Sequence, residues 1–343
     1  MMNANWQEYL VANGARIDEG LVTDFGDPMV ELASARDATI MAPLVHLSLL
    51  ECSGEDAGPF LHNQLTSDVN HLAPDAVQHA AWCTAKGRMQ ASFLNYRTSE
   101  GFRLLLSTDL LAATQKRLQM FVLRSKVKIT DLTSEHEIIG LSGPASEAAL
   151  TAAGLPVPGA SLACAHFDAG TVIRLDSSRF VLIVASTAAS TLWPVLATLA
   201  KAVGTPVWQW LDVKAGVPLI CEATKEAFVP QMADFDKIGG VSFHKGCYPG
   251  QEIVARTQYL GKVKRHLYRI RADVAITAGA SIYASDSPEH PCGMVANAAP
   301  SPDGGYDALA VIQENFVEQP GLALGEAGGT GFSIIARANP AAE

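Results

Sequence analysis

The stretch FHKGCYPGQEIVARTQYLGKVKRH, residues 243–266, lies where the chain changes texture. Before it, apolar strand-like runs alternate with helix-like ones. After residue 260 come HLYRIRAD, ASIYASD, CGMVANAA, YDALAVIQ and GFSIIARA, short strand-like runs separated by Gly, Pro and Asp turns. That pattern predicts a small all-β domain, a barrel or sandwich, with no further helix. The quoted stretch therefore joins an α+β body to a β domain.

Upstream, APLVHLSLLECSGEDAGPFLHNQLTSDVN, residues 42–70, reads as strand, turn and helix. Ser53 is the expected N-cap, with Asp56 three residues on. Phe60, Leu61 and Leu65 form the expected buried side. AAWCTA, MQASFLNY, GFRLLLST and SKVKITDL read as strands, and DLLAATQKRLQMFVLR as an amphipathic helix. The pattern then repeats. EHEIIGLSGPASEAALTAAGL echoes HLSLLECSGEDAGPFLHNQL, and RFVLIVASTAASTLWPVLATL echoes GFRLLLSTDLLAATQKRLQM. Two matched pairs in the same order predict two related α+β units.

The 343 residues are 48% apolar and 17% charged, enough to build cores. A net charge of −10 disfavours general attraction to nucleic acid or anionic membrane, so any such contact needs a local basic patch. The first residues, MMNANWQEYLVANGARIDEG, do not read as a signal peptide. VLIVASTAASTLWPVLATLA is cut by Ser, Thr and Pro194 and reads as strand, turn and helix rather than a membrane span. Cys52, Cys83, Cys164, Cys221, Cys247 and Cys292 are scattered without a CxxC pair. A reducing cytoplasm is the expected compartment.

Cys247 carries the most chemistry. Gly246 precedes it and Pro249-Gly250 follow Tyr248, a turn-forming context. Lys245, Lys262 or a helix starting near Gln251 would lower its thiol pKa. Local chemistry leaves it open as a nucleophile, a redox thiol, a metal ligand or a small residue in a crowded turn. His244 is a loose metal candidate only. Lys262, Lys264, Arg265, Arg269 and Arg271 fall within ten residues without an acid, an anion-binding candidate or a solvated strand edge. In a regular strand Lys262 and Lys264 share one face and Arg265 takes the other. The turn WCTAKGRMQA offers Lys86, Gly87 and Arg88 either to a ligand or to solvent. NQLTSDVN offers Asn63, Gln64, Thr66 and Asp68 at a helix end. His62, His71 and His79 read as surface or packing residues. GxGxxG, P-loop, HExxH and G-x-S-x-G patterns do not occur.

FHKGCYPGQEIVAR closely resembles the signature K-G-C-Y-x-G-Q-E of the YgfZ-type folate-binding proteins, in the superfamily of the glycine cleavage T-protein, the aminomethyltransferase. FLHNQLTSDV resembles the family's N-terminal helix segment, CTAKGRM its glycine turn, and LDVKAGVP its strand-turn before the central closing loops. FVPQMADFDKIGGVSFHKGCYPGQE follows in the expected order, and GLALG suits the terminal barrel.

The resemblance implies an α+β, T-protein-like three-domain ring with two related α+β units and a C-terminal β-barrel. Its expected boundaries are 1–135, 136–257 and 258–343. It implies a channel for tetrahydrofolate or a related reduced folate, lined by Gln64, Thr66, Asp68, Lys86, Gly87, Arg88, Gln90, Lys214, Lys245, Tyr248, Gln251 and Glu252. It implies support of iron–sulfur cluster assembly or repair, with assembly factors or client enzymes as partners and tRNA modification as the downstream effect. Cys247 is then the family's thiol. Two positions depart from the pattern. Gln90 stands where T-protein carries its catalytic aspartate, and a neutral amide cannot act as that base. Lys214 stands where the family has glutamate facing the pterin, and it offers donors only. Aminomethyltransferase or methyltransferase chemistry is therefore the weaker expectation. Direct tRNA contact through Lys262, Lys264 and Arg265 is the binding-module alternative.

Overall fold

The two Ser-Gly turns of the repeat take the same backbone form. Gly54 has φ +111° and Gly143 φ +127°. A Cβ would sit 2.2 Å from the Lys126 carbonyl oxygen at the first turn and 2.4 Å from that of Ala38 at the second. Only glycine fits either turn, because both conditions, left-handed backbone and close approach, exclude a side chain. Each turn leads from a strand, Leu47–Ser53 or His136–Ser142, into a short helix, Ala57–His62 or Ser146–Ala152.

This computed structural model describes residues 2–339. It divides into two units. The first runs through Ala57 and takes in His71–Gln78 and Leu94–Trp208. The second takes in Gly58–Asn70, His79–Phe93 and the chain from Gln209 onward.

In the first unit a six-stranded sheet runs Ala163–Phe167, Gly170–Arg174, Arg179–Ala185, His136–Ser142, Ile40–Pro43, Lys201–Ala202. Every neighbouring pair is antiparallel except the last. Arg179–Ala185 is buried almost end to end, as its unbroken apolar run requires of a strand covered on both faces. Ala4–Ala12 and Ser186–Leu196 supply Trp6, Leu10, Ala189, Trp193 and Leu196 to the core built on this sheet. Asn3 caps the first helix by accepting from the Asn5 and Trp6 amides. Leu47–Ser53 pairs with Gly101–Ser107 on one side and Lys128–Asp131 on the other. Ser53 is not a helix cap: it still pairs in the strand, and the Asp56 carboxylate instead accepts from the Lys126 amide at 2.7 Å.

In the second unit a seven-stranded antiparallel sheet runs Thr330–Gly331, Leu322–Leu324, Ser281–Ala284, Gly293–Pro300, Tyr306–Gln313, Arg265–Ala272, Ser333–Arg337. Its first and last strands in space are separated in sequence by Phe332 alone. A flat sheet of this width would part its edges by about 29 Å, at about 4.8 Å per strand. One residue spans about 3.5 Å. The sheet therefore curls, and Tyr268, Ile270, Ile282, Val295, Ala308 and Ile312 fill its inside.

Two local expectations change. LDVKAGVP is not a strand-turn: residues 211–215 close the helix Thr205–Ala215, where Trp210 and Val213 are buried. Lys262 and Lys264 are not in a strand: the strand starts at Arg265, and both lysines lie in the loop before it. Among the described residues no helix is long and apolar enough to cross a membrane.

Candidate functional site

All the candidate site residues fall in the second unit. Thr66 ties its framework together. Its hydroxyl donates to the Gly240 carbonyl and accepts from the Ala81 amide at 2.8 Å. Its backbone carbonyl accepts from the Ser242 amide at 2.9 Å. Thr66 is fully buried, so its role here is to join the NQLTSD segment to the chain entering the cysteine motif.

Lys245 completes that junction. Its side chain is 8% exposed, rare for lysine. The ammonium donates to the carbonyl of His62 and, at 2.6 Å, to that of Leu65. His62 is the last residue of the helix Ala57–His62, whose final carbonyls have no partner within the helix, and Leu65 lies three residues beyond it. The ammonium also lies 4.8 Å from the centroid of the Tyr248 ring. Burial lowers its pKa to about 8, against the raising influence of Asp68 and Cys247. Burial likewise pushes the Tyr248 phenol up.

Cys247 lies between these two buried side chains in sequence and is itself exposed. Cys83, by contrast, is buried, and its thiol is pushed up to about 12. On the same segment His62 Nδ1 stands 3.2 Å from the Asp68 carboxylate. A Cβ on Gly246 would lie 3.7 Å from His62 Nε2. His62 is thus beside the motif. Its place on the last turn of a helix leading into NQLTSD was the available sequence signal.

Gly250 begins the next element at φ +81° and precedes the helix Gln251–Tyr259. A Cβ there would meet the Thr84 carbonyl at 2.4 Å and Gly87 at 2.7 Å. Gly87, at φ +70°, faces Ile253 of that helix. The two glycines let the turn Thr84–Arg88 and the helix start touch backbone to backbone. Arg88 donates to the Ala227 carbonyl at 2.6 Å, and the Met89 amide donates to that of Phe228 at 2.8 Å. Gln251 reaches the Lys245 carbonyl at 3.5 Å, while Glu252 and Lys86 are exposed. Gln90 is 5% exposed. Lys214 is exposed, with its ammonium 5.4 Å from the Trp210 ring centroid. Trp210 in turn donates to Asp307 at 2.8 Å.

Buried side-chain atoms without a hydrogen-bond partner include Gln64 Oε1, Ser67 Oγ and Gln231 Oε1. Ser67 and Gln231 are polar residues that motif reading passed over. Among the described residues no group of three His, Cys, Asp or Glu side chains is arranged to hold a metal ion.

The family model described as the GCVT N-terminal domain matches residues 27–157. The tRNA-modifying protein YgfZ of Sodalis glossinidius is 32% identical over 243 residues, covering 70% of this chain and 74% of that protein. The chain belongs to the YgfZ family. The tRNA-modifying protein YgfZ of Shigella sonnei is 30% identical over the same shares. The glycine cleavage system aminomethyltransferase T of Bartonella henselae superposes with a TM-score of 0.75, covering 92% of this chain and 91% of that one, at 16% identity. That likeness shows the fold alone: a T-protein-like α+β fold. In this YgfZ-family chain the motif KGCYPGQE thus consists of a buried lysine, an exposed thiol, a buried tyrosine and a glycine that starts a helix.

Proposed function

We propose that the protein is a folate-binding accessory factor that supports iron–sulfur cluster assembly or repair and, through iron–sulfur enzymes, tRNA modification. The observation that carries the reading is the exposed Cys247, on a loop whose neighbour Lys245 is buried against the His62 and Leu65 carbonyls. A thiolate is the reactive form of cysteine, and an exposed loop lets a partner protein reach it. Iron–sulfur assembly factors or client enzymes in a reducing cytoplasm are the partners of this reading. The names of the relatives, tRNA-modifying proteins, agree with it.

For the folate, buried polar atoms without partners mark where a ligand's donors and acceptors would be met. Gln64 Oε1 and Ser67 Oγ are such atoms, and both lie on the segment that carries Thr66 and Asp68. A pterin edge presents alternating donors and acceptors that suit an amide, a hydroxyl and a carboxylate. Tetrahydrofolate, when bound, supplies a one-carbon carrier. Lys214 does not fit the pterin role, since its exposed ammonium rests over Trp210 and has no acceptor. Gln90 supplies no carboxylate base, so methyl or aminomethyl transfer is not the proposed reaction. The working domains of this reading are 1–135, 136–257 and 258–343.

Two measurements test it. In a strain lacking the protein, Cys247→Ser is expected to restore little iron–sulfur enzyme activity at wild-type protein level; full restoration overturns the thiol's role. Calorimetric titration with tetrahydrofolate is expected to show binding that weakens in Gln64→Leu and tightens in Lys214→Glu. Equal binding in wild type and Gln64→Leu removes the 64–68 segment from the site.

A further inference from the structure

The turn at Lys86 and Arg88, the helix Gln251–Tyr259 and the loop that follows it enclose an open cleft of about 560 Å³. Its rim and walls carry Lys86, Arg88, Arg256, Lys262, Lys264 and Arg265. These are six of the chain's 25 lysines and arginines, in a protein with 35 acidic residues. Among the described residues that line the cleft none is acidic. Glu314 reaches toward the rim from outside, 3.8 Å from Lys262, at a site where both side chains are largely exposed. So weak a pair leaves the lysine's charge available.

The cations come from separate segments, so the cluster is a product of the fold. Ile253, Arg256 and Thr257 line the cleft at the i, i+3, i+4 spacing of one helix face. Val229, Met232 and Ile253 give the same cleft apolar surface. Tyr259 and Leu260, between the lining residues Thr257 and Gly261, are 64% and 86% exposed. Cations that track phosphates, beside apolar and aromatic surface that stacks bases, are the combination single-stranded nucleic acid requires. An acidic peptide uses the charge but gains less from an exposed tyrosine. The volume lies in the range of about 300–1,000 Å³ typical of small-ligand sites, room for unpaired nucleotides rather than a duplex.

We infer that this cleft binds single-stranded RNA, with the six cations on its phosphates and Tyr259 stacking on a base. The protein then touches RNA directly, which goes beyond the folate and thiol reading and does not depend on it. The overall negative charge weakens non-specific attraction, so binding is confined to this patch.

The test is fluorescence anisotropy of the full chain with a labelled single-stranded RNA of about 12 nucleotides. Salt is varied from about 50 to about 200 mM, and six engaged cations give a slope of log affinity against log salt of about −4. Replacing Lys86, Lys262 and Lys264 together by Ala is expected to reduce the slope by about 2 and to weaken binding at least about tenfold at low salt. Tyr259→Ala is expected to weaken binding about fivefold or more. All three lysines are exposed, so the variant is expected to keep the wild-type circular dichroism. A matched variant with Lys116, Lys126 and Lys128 replaced by Ala is expected to bind as wild type. No RNA binding by the wild type, or equal losses in the two triple variants, overturns the site. Equally effective competition by an oligoglutamate peptide of the same charge overturns the assignment to nucleic acid.

Discussion

Lys245 and the pair Lys262 and Lys264 lie within twenty residues of one another, yet the fold uses them in opposite ways. Lys245 is buried, and its ammonium is held by two carbonyls and an aromatic face. Lys262 and Lys264 are exposed on the rim of a cleft with other cations. A buried ammonium with satisfied donors is a structural tie, because moving it would strand both the charge and its acceptors. An exposed ammonium keeps its donors for a ligand, and costs little to replace. The contrast assigns stability to the first region and recognition to the second.

The sharpest way to break that contrast is Lys245→Met. It removes two charge-assisted hydrogen bonds and leaves the His62 and Leu65 carbonyls without them. The expected loss is about 3–4 kcal/mol, read from urea denaturation midpoints. A loss near zero would move Lys245 from tie to candidate ligand group. Gly250→Ala comes next, at about 2–3 kcal/mol. Its φ of +81° is strained for alanine, and its Cβ would meet the Thr84 carbonyl at 2.4 Å. Unchanged stability there would mean that the turn and the helix start are not locked together.

A pH comparison sharpens the same point with a smaller effect. The unfolded chain holds the Lys245 proton up to its ordinary pKa of 10.5, while the folded chain releases it at about 8. Between those values the unfolded state binds more protons, so this group makes stability rise with pH. Below about 8 both states are protonated and the burial cost is fully present. Cys52 and Cys83, pushed up to about 12 by burial, act in the opposite sense above their ordinary pKa of 9.0. The difference between wild type and Lys245→Met isolates the lysine. It is expected to grow in favour of wild type from about pH 7.5 to about pH 9.5, by urea denaturation at each pH. The smallest effect is that of Lys262→Ala, expected within about 0.5 kcal/mol of wild type in the same assay.

Much of the fold was legible along the chain. The echo between residues 46–65 and 135–155 holds down to the paired glycine turns at Gly54 and Gly143. The change to β structure after the cysteine motif follows from short runs and close-set turns. Other features were not legible locally. The resemblance implied a strand-turn at residues 211–215, but they are helical, and Trp210 upstream donates to Asp307, almost a hundred residues away. Ser53 has the composition of a cap, but strand pairing claims its backbone first. In the site, Cys247 was visible through its motif, whereas Arg256 was not singled out before its helix placed it on the cleft. The burial of Lys245 was not, because lysine is ordinarily a surface residue.

Residue order alone carries the α+β pattern, the passage to β structure near residue 260 and the residues of the family signature. These rest on local periodicity, turn chemistry and residue type. Which lysine became a tie and which became a rim charge was decided in three dimensions. Desolvation and hydrogen-bond supply depend on atoms brought from distant segments: carbonyls from residues 62 and 65 around Lys245, and cations from residues 86 and 88 beside Lys262.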